Sequence, residues 1–196
     1  MNAPIDSLSV GDPARFLPLA VLGERLAALS AAPRDLGRVA ALVTRGPGGR
    51  RELLARAVLT VAGGMPGDAW TRKEPVLAEA QLAVMQRDVA VLIANGQPLG
   101  LFGDNIFLDL DLAASNLPIG TRLRAGNAVL EVTPKAHNGC RKFKSRFGDD
   151  ALRFVSHPER RHLNLRGIYL QVVEDGEVGV GDVVEVIARA ACNLGR

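Results

Sequence analysis

The side chains best suited to chemistry are gathered in one stretch of the chain. Between Pro134 and Ile168 lie all three histidines, His137, His157 and His162, together with Cys140. Nine cations share that stretch (Lys135, Arg141, Lys142, Lys144, Arg146, Arg153, Arg160, Arg161 and Arg166) against only Asp149, Asp150 and Glu159. The local charge is therefore +6 in a chain whose total is +3, which leaves −3 for the remainder. Arg141, Lys142 and Lys144 follow Cys140, and neighbouring cations favour a thiolate, which acts as a nucleophile or as a soft metal ligand. His137, three residues earlier, suits proton transfer near neutral pH. A positive stretch holding a thiol and imidazoles fits an anionic ligand such as a phosphate or a metal–sulfur centre.

Blander readings compete. The charge run also reads as a solvated basic loop, and a lone cysteine is most often a small buried hydrophobe. The setting of Cys140 between Gly139 and Arg141 argues for a loop and against a core stripe. The spacings from His137 to Cys140 and from His157 to His162 fall in the loose range of structural zinc ligands. A single thiolate and an apolar-rich chain weigh against zinc. Cys192, in the C-terminal tail, is read as incidental.

Composition bounds the rest. With 196 residues, 47% hydrophobic and 23% charged, the chain can bury a sizeable core in one domain, which excludes intrinsic disorder. Two cysteines cannot form a disulfide framework, so a reducing cytoplasm is expected. The longest apolar run, Val89 to Ala94, falls far short of a membrane span, and Asp6 and Asp12 without a cation exclude a secretory start. The chain has no nucleophile elbow, no Walker loop and no dinucleotide fingerprint. The segment Arg45-Gly46-Pro47-Gly48-Gly49-Arg50 lacks the lysine and hydroxyl of a phosphate loop and reads as a turn. Asp109 and Asp111 read as a solvated strand face more readily than as an acid–base pair. Aromatic residues at 4% are too thin for stacking platforms, so nucleic acid is an unlikely partner despite the basic charge.

The elements that must position these groups change character along the chain. Residues 1–36 read as a loose leader and a helix beginning at Pro18, with Leu19, Leu22, Leu26 and Leu29 on one stripe until Pro33, packed on the domain that follows. Arg38 to Thr44 reads as a strand. Leu54, Val58 and Val61 predict a second helix over 50–62, ended by Gly63-Gly64. Gln81 to Met85 is ambiguous, and Asp88 to Ala94 reads as a helix ended by Asn95-Gly96. Strands follow at Ile106–Leu112, Ala128–Thr133, Arg166–Glu174 and Asp182–Ile187, with turns at 118–120 and at Asp175-Gly176, and helical turns at Asp149–Ser156. This pattern predicts a β-rich α+β domain over residues 37–190, a small barrel with helices at its flank.

The order of landmarks resembles the MOSC domain, the family named for the C-terminal domain of molybdenum-cofactor sulfurase. The matching pieces are GGMPGD (63–68), GDN (103–105), LPIGTRLRAGNAVLEVT (117–133), HNGCRKF (137–143), LRGIYLQVV (165–173) and GEVGVGDVVEV (176–186). One departure is Gly139, where the family often has proline before its cysteine. The resemblance implies a strongly bent MOSC-type β-barrel that binds the molybdenum cofactor, a phosphate-bearing pterin dithiolene. It implies that Cys140 ligates molybdenum, and that Lys142 matches the basic residue of the family's Cys-x-Lys step. Asn105 and Arg166 match positions near the cofactor pocket, and Asp68 matches the acidic residue of the early turn.

Residue type adds that Arg141, Lys142 and Arg166 offset the anionic cofactor, that Asn105 fixes a polar edge of the pterin and that His137 shuttles protons. The leading expectation is an oxidoreductase that reduces N-hydroxylated compounds, served by a separate reductase. The alternative is a cofactor carrier or sulfur-transfer module that holds a persulfide on Cys140, served by a cysteine desulfurase. Pyridoxal phosphate is then expected only on that partner, since 196 residues cannot also hold an aminotransferase-like domain. A third reading is a non-catalytic basic barrel for another anion or nucleic acid.

Overall fold

A computed structural model describes residues 10–190 of the chain. Helix α1 (Leu19–Ala27) leads into the long strand β1 (Leu36–Arg45), which turns through Gly46–Gly49 into β2 (Arg51–Leu54) and then β3 (Arg56–Leu59). Strand β4 (Leu82–Gln86), helix α2 (Arg87–Ala94) and strand β5 (Ile106–Asp109) follow as one unit. The hairpin β6 (Arg122–Ala125) and β7 (Ala128–Val132) precedes helices α3 (Arg141–Phe147) and α4 (Asp149–Ser156). Strands β8 (Ile168–Glu174), β9 (Gly176–Gly179) and β10 (Val183–Ala188) complete the described chain.

Seven strands close a barrel in the order β10-β6-β7-β8-β4-β5-β1, and β1 returns to β10 through Leu36 opposite Glu185. All barrel pairings are antiparallel except β4 with β5, where Val84 lies beside Ile106. A parallel pair needs a crossover, and α2 supplies it. Strand β2 extends the sheet beyond β1, and β3 pairs with β9 in a separate two-stranded ribbon.

Alternation along the strands divides the apolar residues between two cores. Leu42, Leu82, Val84, Ile106, Leu108 and Leu170 fill the barrel interior. Their strand neighbours Val43, Met85 and Phe107 face outward and pack with Phe143, Phe147 and Phe154 of α3 and α4. With both faces covered, β4 carries the run Leu82-Ala83-Val84-Met85 with no polar alternation, which is why its sequence alone is ambiguous. Helix α1 buries Leu22 in the outer core and packs against α4 and α2.

Three expectations need correction. The helix expected over 50–62 is two strands: Ala57 and Leu59 point into the barrel while Val58 is 53% exposed, a period of two that the spacing of Leu54, Val58 and Val61 mimicked as helical. Gly64 instead forms a bridge with Thr60. The first helix stops at Ala27 and does not run on to Pro33. Gly176 opens β9 and is not merely a turn, because its backbone lies against Ala128 so closely that a Cβ would sit 2.3 Å from the Ala128 nitrogen. Strand β6 and helix α3 were not anticipated.

Gly167 joins Arg166 to β8 with φ +99°, and a Cβ there would lie 2.1 Å from the Val84 carbonyl oxygen. Both the left-handed backbone and this close approach to β4 require glycine. Gly167→Ala is expected to destabilise the fold by at least about 2–3 kcal/mol, read as a lowered midpoint in urea unfolding. An unchanged midpoint would mean that β4 and β8 are not packed as described.

Candidate active-site cleft

Outside the barrel, where β4 and β8 meet α3, a cleft of about 520 Å³ opens, within the range of small-molecule and cofactor sites. Its lining includes Cys140, His137 and Tyr169, apolar Phe102 and Phe143, and six cations: Arg45, Arg51, Lys73, Lys142, Arg146 and Arg166. Among the described residues no carboxylate lines it. Two carboxylates lie buried behind the wall, Asp68 at 1% exposure and Asp104 at 0%.

Asp68 organises one side. It caps the short helical turn Ala69–Arg72 by accepting from the Trp70 amide at 3.0 Å. The Arg45 amide donates to it at 2.8 Å and the Asn105 side-chain amide at 3.0 Å. The Arg45 guanidinium grips both oxygens, through Nε at 2.9 Å and through Nη2. Burial on its own would raise the Asp68 pKa, but the hydrogen bonds and charge of Arg45 outweigh it and hold the carboxyl below its ordinary range. Arg45 stands at the end of β1, and its Nη1 donates to the Gly103 carbonyl at 3.3 Å.

Asp104 organises the other side. Arg166 Nη1 donates to its two oxygens at 3.0 and 2.8 Å, and the guanidinium lies 5.2 Å above the Phe143 ring. Arg166 Nε is buried without a hydrogen-bond partner. His137 Nδ1 lies 3.5 Å from Asp104, outside hydrogen-bond geometry, and is likewise unpartnered. The imidazole packs on Tyr169 with ring centroids 4.4 Å apart. Burial, then the charge of Arg166, pushes the His137 pKa down to about 3. Burial, then Asp104, raises that of Tyr169, which therefore keeps its phenolic proton.

Cys140 is exposed at the mouth, in extended backbone immediately before α3. Gly139 packs under α4, where a Cβ would sit 2.4 Å from Leu152 Cδ1 and that side chain would have to shift. Arg146 reaches back from α3 and donates to the Leu101 carbonyl at 2.9 Å.

The structure thus brings Cys140, His137, Lys142 and Arg166 to one cleft, whereas Asp68 and Asn105 lie behind it. Asn105 was expected to touch the pterin, but it is fully buried and its amide is committed to Ala83, Val43 and Asp68. It acts by holding Asp68. Arg141 is exposed and does not line the cleft. His137, expected to exchange protons near neutral pH, is instead held neutral there by burial. Asp109 pairs with Arg87 and Asp111 caps Ala113, so neither forms an acid–base pair with the other. Among the described residues no cluster of three or more His, Cys, Asp or Glu side chains is placed to hold a metal ion. Cys192 lies outside the described residues.

Sequence reasoning missed Arg45, Arg51, Lys73, Asp104 and Tyr169, and counted Arg146 only as part of the basic stretch. Two signals were present: the arginines flanking the glycine turn 46–49, and Asp104 and Tyr169 inside the quoted motifs.

A closed mixed barrel with helices outside and a cationic cleft on its wall is the architecture of a MOSC-type protein. The family model described as MOSC domain matches residues 59–185, and the chain belongs to that family. Among solved structures it is similar to YuaD from Bacillus subtilis, at 19% identity and TM-score 0.55, covering 79% of this chain and 97% of that one. It is also similar to YiiM from Geobacillus stearothermophilus, at 16% identity and TM-score 0.56 over 81% of this chain and 79% of that one. YiiM from Escherichia coli shows 20% identity and TM-score 0.53 over 78% and 71% of the two chains. These likenesses show the fold alone. No curated protein matches the chain significantly. Among the described residues no helix is long and apolar enough to cross a membrane.

Two outcomes follow from the buried charges. Asp68→Asn removes one partner of a buried pair and is expected to cost about 3–5 kcal/mol at pH 7 by chemical denaturation. Because the folded Asp68 pKa is depressed, its contribution is present above the unfolded carboxyl pKa and is lost as pH falls through the folded value. The variant should therefore show a flatter acid limb than the wild type. His137, with a folded pKa near 3 against 6.5 unfolded, contributes a stability loss as pH falls from about 6.5 towards 3. Its ring NMR shifts should stay constant from pH 8 to 5, and a midpoint above pH 6 would contradict the burial described.

Proposed function

We propose that the chain binds the molybdenum cofactor in this cleft, with Cys140 as a molybdenum ligand, and acts in the reduction of N-hydroxylated compounds. The observation that carries this reading is the lining itself: among the described residues, six cations, no carboxylate and a cysteine exposed at the mouth. A phosphate-bearing pterin dithiolene is an anion with an extended ring system, and the residues present fit it. Arg45, Lys142 and Arg166 supply charge, Phe102 and Phe143 supply apolar wall, and the unpartnered Nε of Arg166 is a buried donor awaiting an acceptor.

When bound, the cofactor would supply a two-electron redox centre able to reduce an N–O bond. The chain's own groups do the remaining work. Cys140, exposed in extended backbone immediately before α3, would supply the sulfur ligand to the metal. Tyr169 lines the cleft and retains its proton, so its Oη–H would be available to donate to a bound oxygen. His137, neutral, braces the Tyr169 ring and keeps a further positive charge out of the site. Asp68 and Asp104 fix the two arginines so that they need no reorganisation when an anion arrives.

The exposure of Cys140 favours a second reading, a carrier or sulfur-transfer module whose cysteine must be reached by a desulfurase partner holding pyridoxal phosphate.

Metal analysis of protein from a host that makes the cofactor tests the ligand assignment. Near-stoichiometric molybdenum is expected in the wild type and in Cys192→Ala, and a loss of most of it in Cys140→Ala. Equal molybdenum in all three would remove Cys140 as ligand, and none in any would sink the cofactor reading. Turnover of an N-hydroxylated base with a reductase supplied separately distinguishes the enzyme from the carrier.

A further inference from the structure

Lys73 is the one cation of the cleft that comes from an exposed loop. Residues 71–79 are all exposed, and the stretch is pinned at both ends. Trp70, 5% exposed, anchors the start, and its Nε1 donates to the Leu77 carbonyl at 2.8 Å. At the far end the Thr133 hydroxyl donates to the Glu79 carbonyl at 2.7 Å, and Gln81 is buried. Arg72 ties the loop to the end of β1 by donating to the Arg45 carbonyl at 2.6 Å.

Lys73 lines the cleft beside cations. The charges acting on it include Arg45, Lys142 and Lys135, and the nearby carboxylate, Asp68, is already held by Arg45. Among the described residues no carboxylate lies within salt-bridge distance of Lys73. In the same cleft Arg166 Nε and His137 Nδ1 are buried without partners, on side chains only 9% and 6% exposed. Like charges held together around unsatisfied polar atoms cost free energy unless an anion joins them. An ammonium on a flexible stem, unlike the fixed arginine forks, can move to meet a compact multiply charged group.

We infer that Lys73 is a specificity residue, which the 71–79 loop brings over the cleft to select a ligand bearing a dianionic phosphoryl group. This deepens the cofactor reading, since it assigns the residue that discriminates a phosphorylated from an unphosphorylated ligand. It stands on observations that do not involve Cys140.

The test uses the full-length protein without metal, and tryptic cleavage after Arg72 and Lys73 reads the position of the loop. Inorganic phosphate and phenyl phosphate are the probes, with acetate as a monoanion control, and the single tryptophan, Trp70, reports binding by its emission. At ten times its Kd, phosphate is expected to slow cleavage after Arg72 about tenfold. Lys73→Met should weaken phosphate binding about tenfold or more, with Lys73→Arg retaining most of it. Lys144→Met, an equal charge loss at a residue paired with Asp149, should change nothing. Tighter binding of phenyl phosphate than of phosphate identifies an organic phosphate ester as the ligand, and the reverse identifies the free ion. Cleavage unaffected by either probe, equal protection by acetate, or wild-type affinity in Lys73→Met overturns the inference. Phosphate binding through Lys73 in a chain that takes up no molybdenum would refute the cofactor reading while leaving this one standing.

Discussion

A carboxylate buried to 1% exposure is tolerable only if donors surround it, and five converge on Asp68 from three separate parts of the chain. The amide and guanidinium of Arg45 come from the end of β1, the Trp70 amide from the turn that Asp68 itself caps, and the amide of Asn105 from the residue before β5. Asn105 also accepts from the Ala83 amide and donates to the Val43 carbonyl, so the same knot joins β1, β4 and β5. The glycine turn, the β4–β5 parallel pair and the orientation of Arg45 all depend on this one charge. The β1–β5–β4 wall of the barrel and the shape of the cleft are therefore parts of a single constraint.

The parallel pair has a second consequence. Its crossover puts α2 on the outside of the barrel, where α1, α3 and α4 also pack, and the strands between must present apolar residues on both faces. At the edge of that outer core the apolar layer gives way to Tyr169, His137 and the arginines. The cleft is thus half lined by aromatic surface and half by cations. A ligand that is both anionic and planar meets both halves.

Concentrating six cations around one cavity works against folding, and the structure offsets it unequally. Arg45 and Arg166 each have a dedicated carboxylate, whereas Lys73 and Lys142 have none within reach among the described residues. His137 relieves the site by remaining neutral, as its burial and the adjacent guanidinium dictate. Arginines held in place by buried acids form a rigid part of the site, and lysines at its rim form a part that adapts.

Much of this was legible in the residues. Cys140, His137, Lys142 and Arg166 stand out by type and spacing, and the alternation of Ile168 to Val173 declares a strand. The ordered motifs from Gly63 to Val186 indicate the family without any coordinates. The arginines flanking the glycine turn are visible in the sequence, in contrast, but not the side of the barrel that Arg45 and Arg51 face, and Leu54, Val58 and Val61 fit a helical stripe as well as a strand. Short periodic patterns are degenerate, and only pairing with β1 and β9 resolves them. The roles of Asp68, Asn105 and Asp104 were out of reach for a related reason. Whether a polar side chain touches a ligand or supports one that does depends on which groups, distant in sequence, arrive beside it. Chain chemistry alone determined the cysteine before a basic run, the basic stretch and the barrel class. Tertiary structure alone decided which charges face the cleft and which lie buried behind it, because burial and hydrogen-bond partnership are properties of the closed barrel and not of any one segment.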